Sequence, residues 1–156
     1  MGVQLIFVVE ASKKCKSDWI YIKETVDRFY TYNHAHVKLS PVYMDGKSKY
    51  KNKEKEVKKL IKQYDAASPN NKSIVIYCFD CDDYDKVRED LDFLNKVKEF
   101  CGKQNYEFVW FCKDIESVYI GRKVPNTQKK KEAESFKAKR LIYRIDENAL
   151  SVVNYR

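Results

Sequence analysis

"SIVIYCFDCDDYDKVRED", residues 73–90, passes from an apolar stretch directly into acid. Residues 73–79 are rich in β-branched and aromatic side chains, the composition of a buried strand. Asp80, Asp82, Asp83 and Asp85 then crowd into the next few positions. Like charges this close oppose one another's ionisation. Solvent, lysines or a metal ion must therefore offset them.

Outward from this stretch, apolar runs alternate with amphipathic ones. "VQLIFVVE", residues 3–10, is a continuous apolar run of strand length that closes on Glu10. In "SDWIYIKETVDRFYTYN", residues 17–33, Trp19, Ile22, Val26, Phe29 and Tyr30 recur at helical spacing, with Ser17 as the expected N-cap. "HVKLSPVYM" (36–44) is strand-like, and Pro41 points to an edge or an irregularity. "NKEKEVKKLIKQYDAAS" (52–68) carries a helical stripe of Val57, Leu60, Ile61 and Tyr64, and "PNNK" ends it. After the strand at 73–79, "VREDLDFLNKVKEFCGK" (87–103) is helical, with Gly102 as the expected C-cap. "YEFVWFC" (106–112) is a fourth strand.

The order β-α-β-α-β-α-β predicts an α/β fold. It is a single-domain, three-layer, Rossmann-like arrangement, a mostly parallel sheet of about four strands with helices on both faces. Residues 1–121 form that domain, and 122–156 form a basic C-terminal extension packed on it. Within the extension, 122–140 reads as a loop leading into a helix, and 141–156 as a terminal hairpin or a strand and a helix.

The formal charge is +8, and its distribution carries more than its total. Residues 47–62 hold eight Lys against Glu54 and Glu56, and residues 122–140 hold eight Lys or Arg against Glu132 and Glu134. The rest of the chain is slightly acidic. Two basic blocks beside an acid cluster predict a polyanionic partner, nucleic acid, with Lys58, Lys59, Lys123, Lys129, Lys130 and Lys131 as candidate contacts. Solvated lysine faces are the plainer alternative.

Other classes fit less well. No apolar run approaches the roughly 18 residues of a membrane span. The N-terminus lacks a basic start and a myristoylation serine or threonine. An odd number of cysteines, five, predicts reduced thiols in a cytoplasmic protein. Cys78-x-x-Cys81 lacks the second pair a zinc site needs, and His34 and His36 lack a third ligand. No P-loop occurs.

In a parallel sheet every strand ends at one rim, where ligands bind. If the strands ending in Glu10 and Asp80 are neighbours, they end about 5 Å apart. Glu10, Asp80 and Asp82 then converge, an oxygen-only set suited to Mg²⁺ or Mn²⁺.

An apolar strand ending in Glu ("LIFVVE", Glu10), followed by a later strand ending in Asp-x-Asp ("VIYCFDCD", Asp80 and Asp82), resembles the TOPRIM domain. The similarity is closest to the small RloB-like and overcoming-lysogenization-defect nucleases linked to phage defence. It covers residues 3 to about 120. It implies Glu10 as general acid/base, with Glu10, Asp80, Asp82 and Glu116 ("CKDIESVYIG") as the metal set and water as nucleophile. Two departures stand out. Ala11 occupies the position after the strand-one Glu where the family has Gly, and Asp114 competes with Glu116. The expectation is a metal-dependent nuclease. The alternative is a non-catalytic module of the same fold that binds nucleic acid or a partner ATPase. Two other strand-end acid arrangements fit poorly. Haloacid-dehalogenase-type phosphatases carry their Asp on the first strand, and phospho-receiver domains place paired acids after it.

Overall fold

A computed structural model describes residues 2–148 and residue 150. Four strands, β1 (Val3–Val9), β2 (Val37–Tyr43), β3 (Lys72–Asp80) and β4 (Glu107–Phe111), form one all-parallel sheet in the order β2-β1-β3-β4. The helices are α1 (Ser17–Phe29), α2 (Glu54–Ala67), α3 (Arg88–Gln104), α4 (Ile115–Ile120) and α5 (Lys129–Ala138). The α/β, Rossmann-like expectation holds.

Strand periodicity builds the three layers. Phe7, Val9, Cys78 and Phe111 face one side and pack with Tyr21 and Ile22 of α1, Ile115 and Tyr119 of α4, and Ala133 and Phe136 of α5. Ile6, Val8, Val75, Tyr77 and Phe79 face the other side, with Val57 of α2 and Val97 and Cys101 of α3. Gln4 is the buried exception. Its Oε1 accepts from Ser40 Oγ (2.9 Å), and its Nε2 donates to Ser73 Oγ (3.1 Å) and to the Leu60 carbonyl (3.3 Å). One amide thus ties β1 to both neighbouring strands and to α2.

Pro41 lies on β2, an edge of the sheet, as its missing N–H requires. Two capping expectations fail. Ser17 is the first residue of α1, not its cap, and Lys16 precedes it in left-handed backbone. Helix α3 runs through Gly102 and ends at Asn105, which takes the left-handed conformation (φ 60°). Asn tolerates that region because its short polar side chain bonds locally.

In the C-terminal part, the loop and helix expected over 122–140 are present. Leu141–Arg144 forms a 3-10 turn, and no strand occurs in the described part of 141–156. The remainder of the expected hairpin lies outside the described residues. Phe136 packs edge-on to Tyr21 (5.0 Å) and Tyr119 (5.7 Å), which joins this segment to the first core. No helix among the described residues is long and apolar enough to cross a membrane.

Phe136 is 1% exposed. Phe136→Ala should lower stability by about 3–5 kcal/mol, the usual cost of emptying an aromatic core site, read from the shift of a urea unfolding midpoint.

A candidate carboxylate site at the sheet rim

Strands β1 and β3 are adjacent and parallel, with Val8 opposite Tyr77. The chain winds from β1 to β2 on one side and returns to β3 on the other, so their C-terminal ends flank the switch point where α/β folds bind ligands. Glu10 and Asp80 meet there in a side-chain hydrogen bond. Two carboxyls can share such a bond only while a proton lies between them.

The surroundings press on this pair. Burial, then the nearby Asp18 carboxylate, pushes Glu10 from its ordinary 4.5 up to about 8, against the Asp80 hydrogen bond and the Lys47 ammonium. Burial, then the charges of Glu10 and Asp18, raises Asp80 well above its usual range. Asp80 Oδ1 accepts the Ile115 N–H at 2.8 Å, the first N–H of α4.

Glu116 is fully buried, and burial pushes it up to about 6 against the opposing Lys129 charge. Neither of its oxygens has a hydrogen-bond partner on another described residue, its own backbone N–H helping to hold the charge, and Glu10 Oε1 has no partner among them. The Lys129 ammonium stands 3.8 Å from Glu116 Oε1, too far for a direct hydrogen bond. Asp114 takes a different role from Glu116. It caps α4 by accepting the Ser117 N–H at 2.7 Å.

Asp82 departs from the expected geometry. It sits in left-handed backbone (φ 50°), and its N–H bonds the Lys113 carbonyl at 2.8 Å. Its carboxylate pairs with Lys47 while remaining in electrostatic reach of Glu10. Lys47 follows a loop laid directly on the end of β1. The Met44 N–H bonds the Val9 carbonyl (2.8 Å), and the Gly46 N–H bonds the Glu10 carbonyl (3.1 Å). Gly46 makes the turn at φ +118°, a conformation side chains rarely adopt.

Asp18, in the first turn of α1, is a site residue that sequence reasoning missed, as it missed Lys47. Asp18 is 8% exposed, and its Oδ2 accepts the Ala11 N–H at 2.9 Å. Burial raises its pKa, opposed by that bond. Ala11 is not among the residues with positive φ, so alanine meets no backbone strain at this turn. The only sequence signal for Asp18 was an acid in the first turn of a helix, which the helix dipole alone would explain.

The remaining candidates stay outside. Lys58 and Lys59 are exposed on α2, with Lys58 paired to Glu54 (3.2 Å). Lys123, Lys130 and Lys131 are exposed, and of the C-terminal candidates Lys129 alone turns toward the carboxylates. His34 and His36 are exposed. Cys78 is in the core, and Cys81 Sγ accepts the Lys113 N–H at 3.0 Å, so this C-x-x-C is structural. An apolar cavity of about 660 Å³ between α1 and the sheet is lined by none of the rim carboxylates.

No three His, Cys, Asp or Glu side chains among the described residues are grouped to hold a metal ion as they stand. The donor chemistry nevertheless fits a hard cation. The rim carboxylate oxygens left without a partner on another described residue belong to Glu10 and Glu116, and the Glu10–Asp80 proton is what such an ion would displace. Comparison with protein-family models, curated proteins and solved structures finds no match.

Glu10 holds its proton more tightly folded than unfolded. Its contribution to stability is therefore complete below about pH 4.5 and is lost as pH rises to about 8. In EDTA, the wild type should lose stability across that window, and Glu10→Gln should lose less. Parallel pH profiles of the two melting temperatures would show that Glu10 does not titrate this way.

Proposed function

We propose that this chain is a TOPRIM-like, Mg²⁺- or Mn²⁺-dependent phosphodiesterase that cleaves nucleic acid, with a role in phage defence. The observation that carries the reading is the buried Glu116 carboxylate, without a hydrogen-bond partner on another described residue and in electrostatic reach of Asp80 and Asp18 at the switch point between β1 and β3. Burying a carboxylate is costly, and an ammonium 3.8 Å away offsets that cost only in part. A binding function gives that cost a purpose.

Glu10, Asp80 and Glu116 would hold the ion, with Asp18 fixing the turn that carries Glu10. A bound divalent ion supplies polarisation of the phosphoryl oxygen and stabilises charge as the P–O bond breaks. Glu10 moves the proton, since a carboxyl held near neutrality both gives and takes one at working pH. Each basic block sends one lysine to the rim, Lys47 from residues 47–62 and Lys129 from 122–140. Phosphates are thereby held from both sides, while the exposed lysines of the two blocks bind the backbone further out. The buried, free Cys78 and Cys101 suit a reducing, cytoplasmic setting.

Three experiments test this. Glu10→Gln should reduce Mg²⁺- or Mn²⁺-dependent cleavage of single- or double-stranded substrates by about 10²–10⁴-fold while leaving metal binding largely intact, because the Gln amide oxygen can still face the ion. Asp80→Asn should lose metal affinity too, read as loss of the Mn²⁺-induced rise in melting temperature. Nucleic-acid affinity should fall with salt by roughly one log-log unit per phosphate contacted. If wild type and Glu10→Gln bind nucleic acid but neither cleaves it, the chain is a non-catalytic module that serves nucleic acid or a partner ATPase.

A further inference from the structure

Tyr84 and Trp110 belong to neither of the two cores. Both are half-buried, and their rings meet at 5.2 Å with a 45° tilt. Strand alternation puts Trp110 on the same face of β4 as Phe108, which packs against the second core. Trp110 is therefore where β4, an edge strand, carries that face out past the core. Tyr84 reaches it from the loop between β3 and α3, and hydrogen bonds hold this loop in place. The Lys86 and Val87 N–H groups donate to the Asp83 carbonyl (2.9 and 2.7 Å), and the Asp83 N–H donates to Asp90 Oδ2 (3.2 Å). The Lys98 ammonium, from α3, lies over the Trp110 ring, 5.3 Å from its centroid. Arg88 and Lys103 of the same helix are matched to Asp92 and Glu99, but Lys98 has no carboxylate partner among the described residues.

We propose that Tyr84 and Trp110 form a stacking platform for an unpaired base, with Lys98 taking the adjacent phosphate, and that the chain therefore prefers single-stranded nucleic acid to duplex. This rests on the nucleic-acid part of the reading above and on none of its metal chemistry. Bases in a duplex stack on one another and offer side chains only their edges, whereas an unpaired base offers a whole face. Aromatic rings beside a cation bind such faces with little regard to sequence. In the register of the sheet, Trp110 lies opposite Phe79, one residue before Asp80. The Trp110 backbone is thus about 6 Å from that of Asp80, by strand spacing and rise. A strand stacked on the rings leads over the ends of β3 and β4 to the carboxylate rim. Asp83 and Asp85, exposed on either side of Tyr84, repel phosphates and leave the Lys98 side as the path of the backbone.

The test uses the full chain in EDTA, with a short labelled oligonucleotide of mixed sequence as a single strand and as a blunt duplex, each in DNA and RNA. Trp19 and Trp110 are the protein's two tryptophans, so Trp19→Phe leaves Trp110 as the indole reporter. Its emission should be quenched by the single strand and not by the duplex. Trp110→Ala should weaken single-strand binding by roughly 5- to 150-fold and leave duplex binding unchanged, and Trp110→Phe should retain most of the affinity. Lys98→Ala should lower the salt slope for the single strand by about one unit. Tyr84→Ala is the second variant should Trp110→Ala fail to give a cooperative melt. Equal affinity for the two forms, or single-strand binding that neither ring variant weakens, would overturn the inference and leave nucleic-acid binding standing. Binding of neither form would overturn both. A wild-type dimer that Trp110→Ala dissociates would assign the rings to an interface between copies and overturn the inference.

Discussion

The contact between Glu10 and Asp80 is the constraint around which this end of the molecule is organised. The parallel pairing of β1 with β3 is driven by apolar side chains on both faces, and it brings the ends of the two strands together. Two acids are thereby forced into one poorly hydrated place. Burial is the first reason both are held above their ordinary range; the Glu10 charge adds to the rise at Asp80, while the hydrogen bond with Asp80 opposes it at Glu10. The backbone around them is arranged as a response. The first N–H of α4 goes to Asp80, and the Ala11 N–H goes to Asp18. The loop after β2 is laced to the end of β1 and delivers Lys47. Each contact lowers the cost of the carboxylates without discharging them fully.

Helix α4 shows how far this organisation extends. Its N-terminal N–H groups need acceptors, and two acids supply them. Asp80, from β3, takes that of Ile115, and Asp114, from the helix's own cap, takes that of Ser117. Satisfying these donors fixes where the helix starts. Ile115 then enters the core beneath it, and the next side chain, Glu116, is buried at the rim. The short helix thus carries a ligand-type residue into the site through its own capping requirements, and its far end abuts the basic C-terminal segment that supplies Lys129.

The strands and their order were legible in the sequence because they are continuous apolar runs. Glu10, Asp80 and Glu116 were legible because they sit at or just past the ends of such runs. The pairing of Asp82 with Lys47 was not legible, for a backbone reason. Alternation along an extended strand puts residues two apart on one face, but the chain leaves β-geometry at Asp82 (φ 50°) and turns its carboxylate to Lys47. Asp18 was hidden because an acid in the first turn of a helix has an ordinary explanation, and only the fold returns that turn to the end of β1. Lys47 was hidden by abundance, and Lys129 was named only as one of six candidate lysines. Each sits in a block of eight basic residues, and composition cannot say which ammonium turns inward.

Under the proposed reading, that division among the lysines is itself mechanistic. The exposed lysines of α2 and α5 have mostly solvent to lose, so they attract a polyanion at little cost and from a distance, within the roughly 10 Å over which charge acts in moderate salt. Lys47 and Lys129 already face carboxylates, and a phosphate must share them. Sharing becomes favourable once a cation relieves Glu10, Asp80 and Glu116 of their mutual repulsion, because the lysines are then less needed inside. Metal and nucleic acid would thus favour each other's binding through the same ammonium groups, a coupling that by linkage acts equally in both directions.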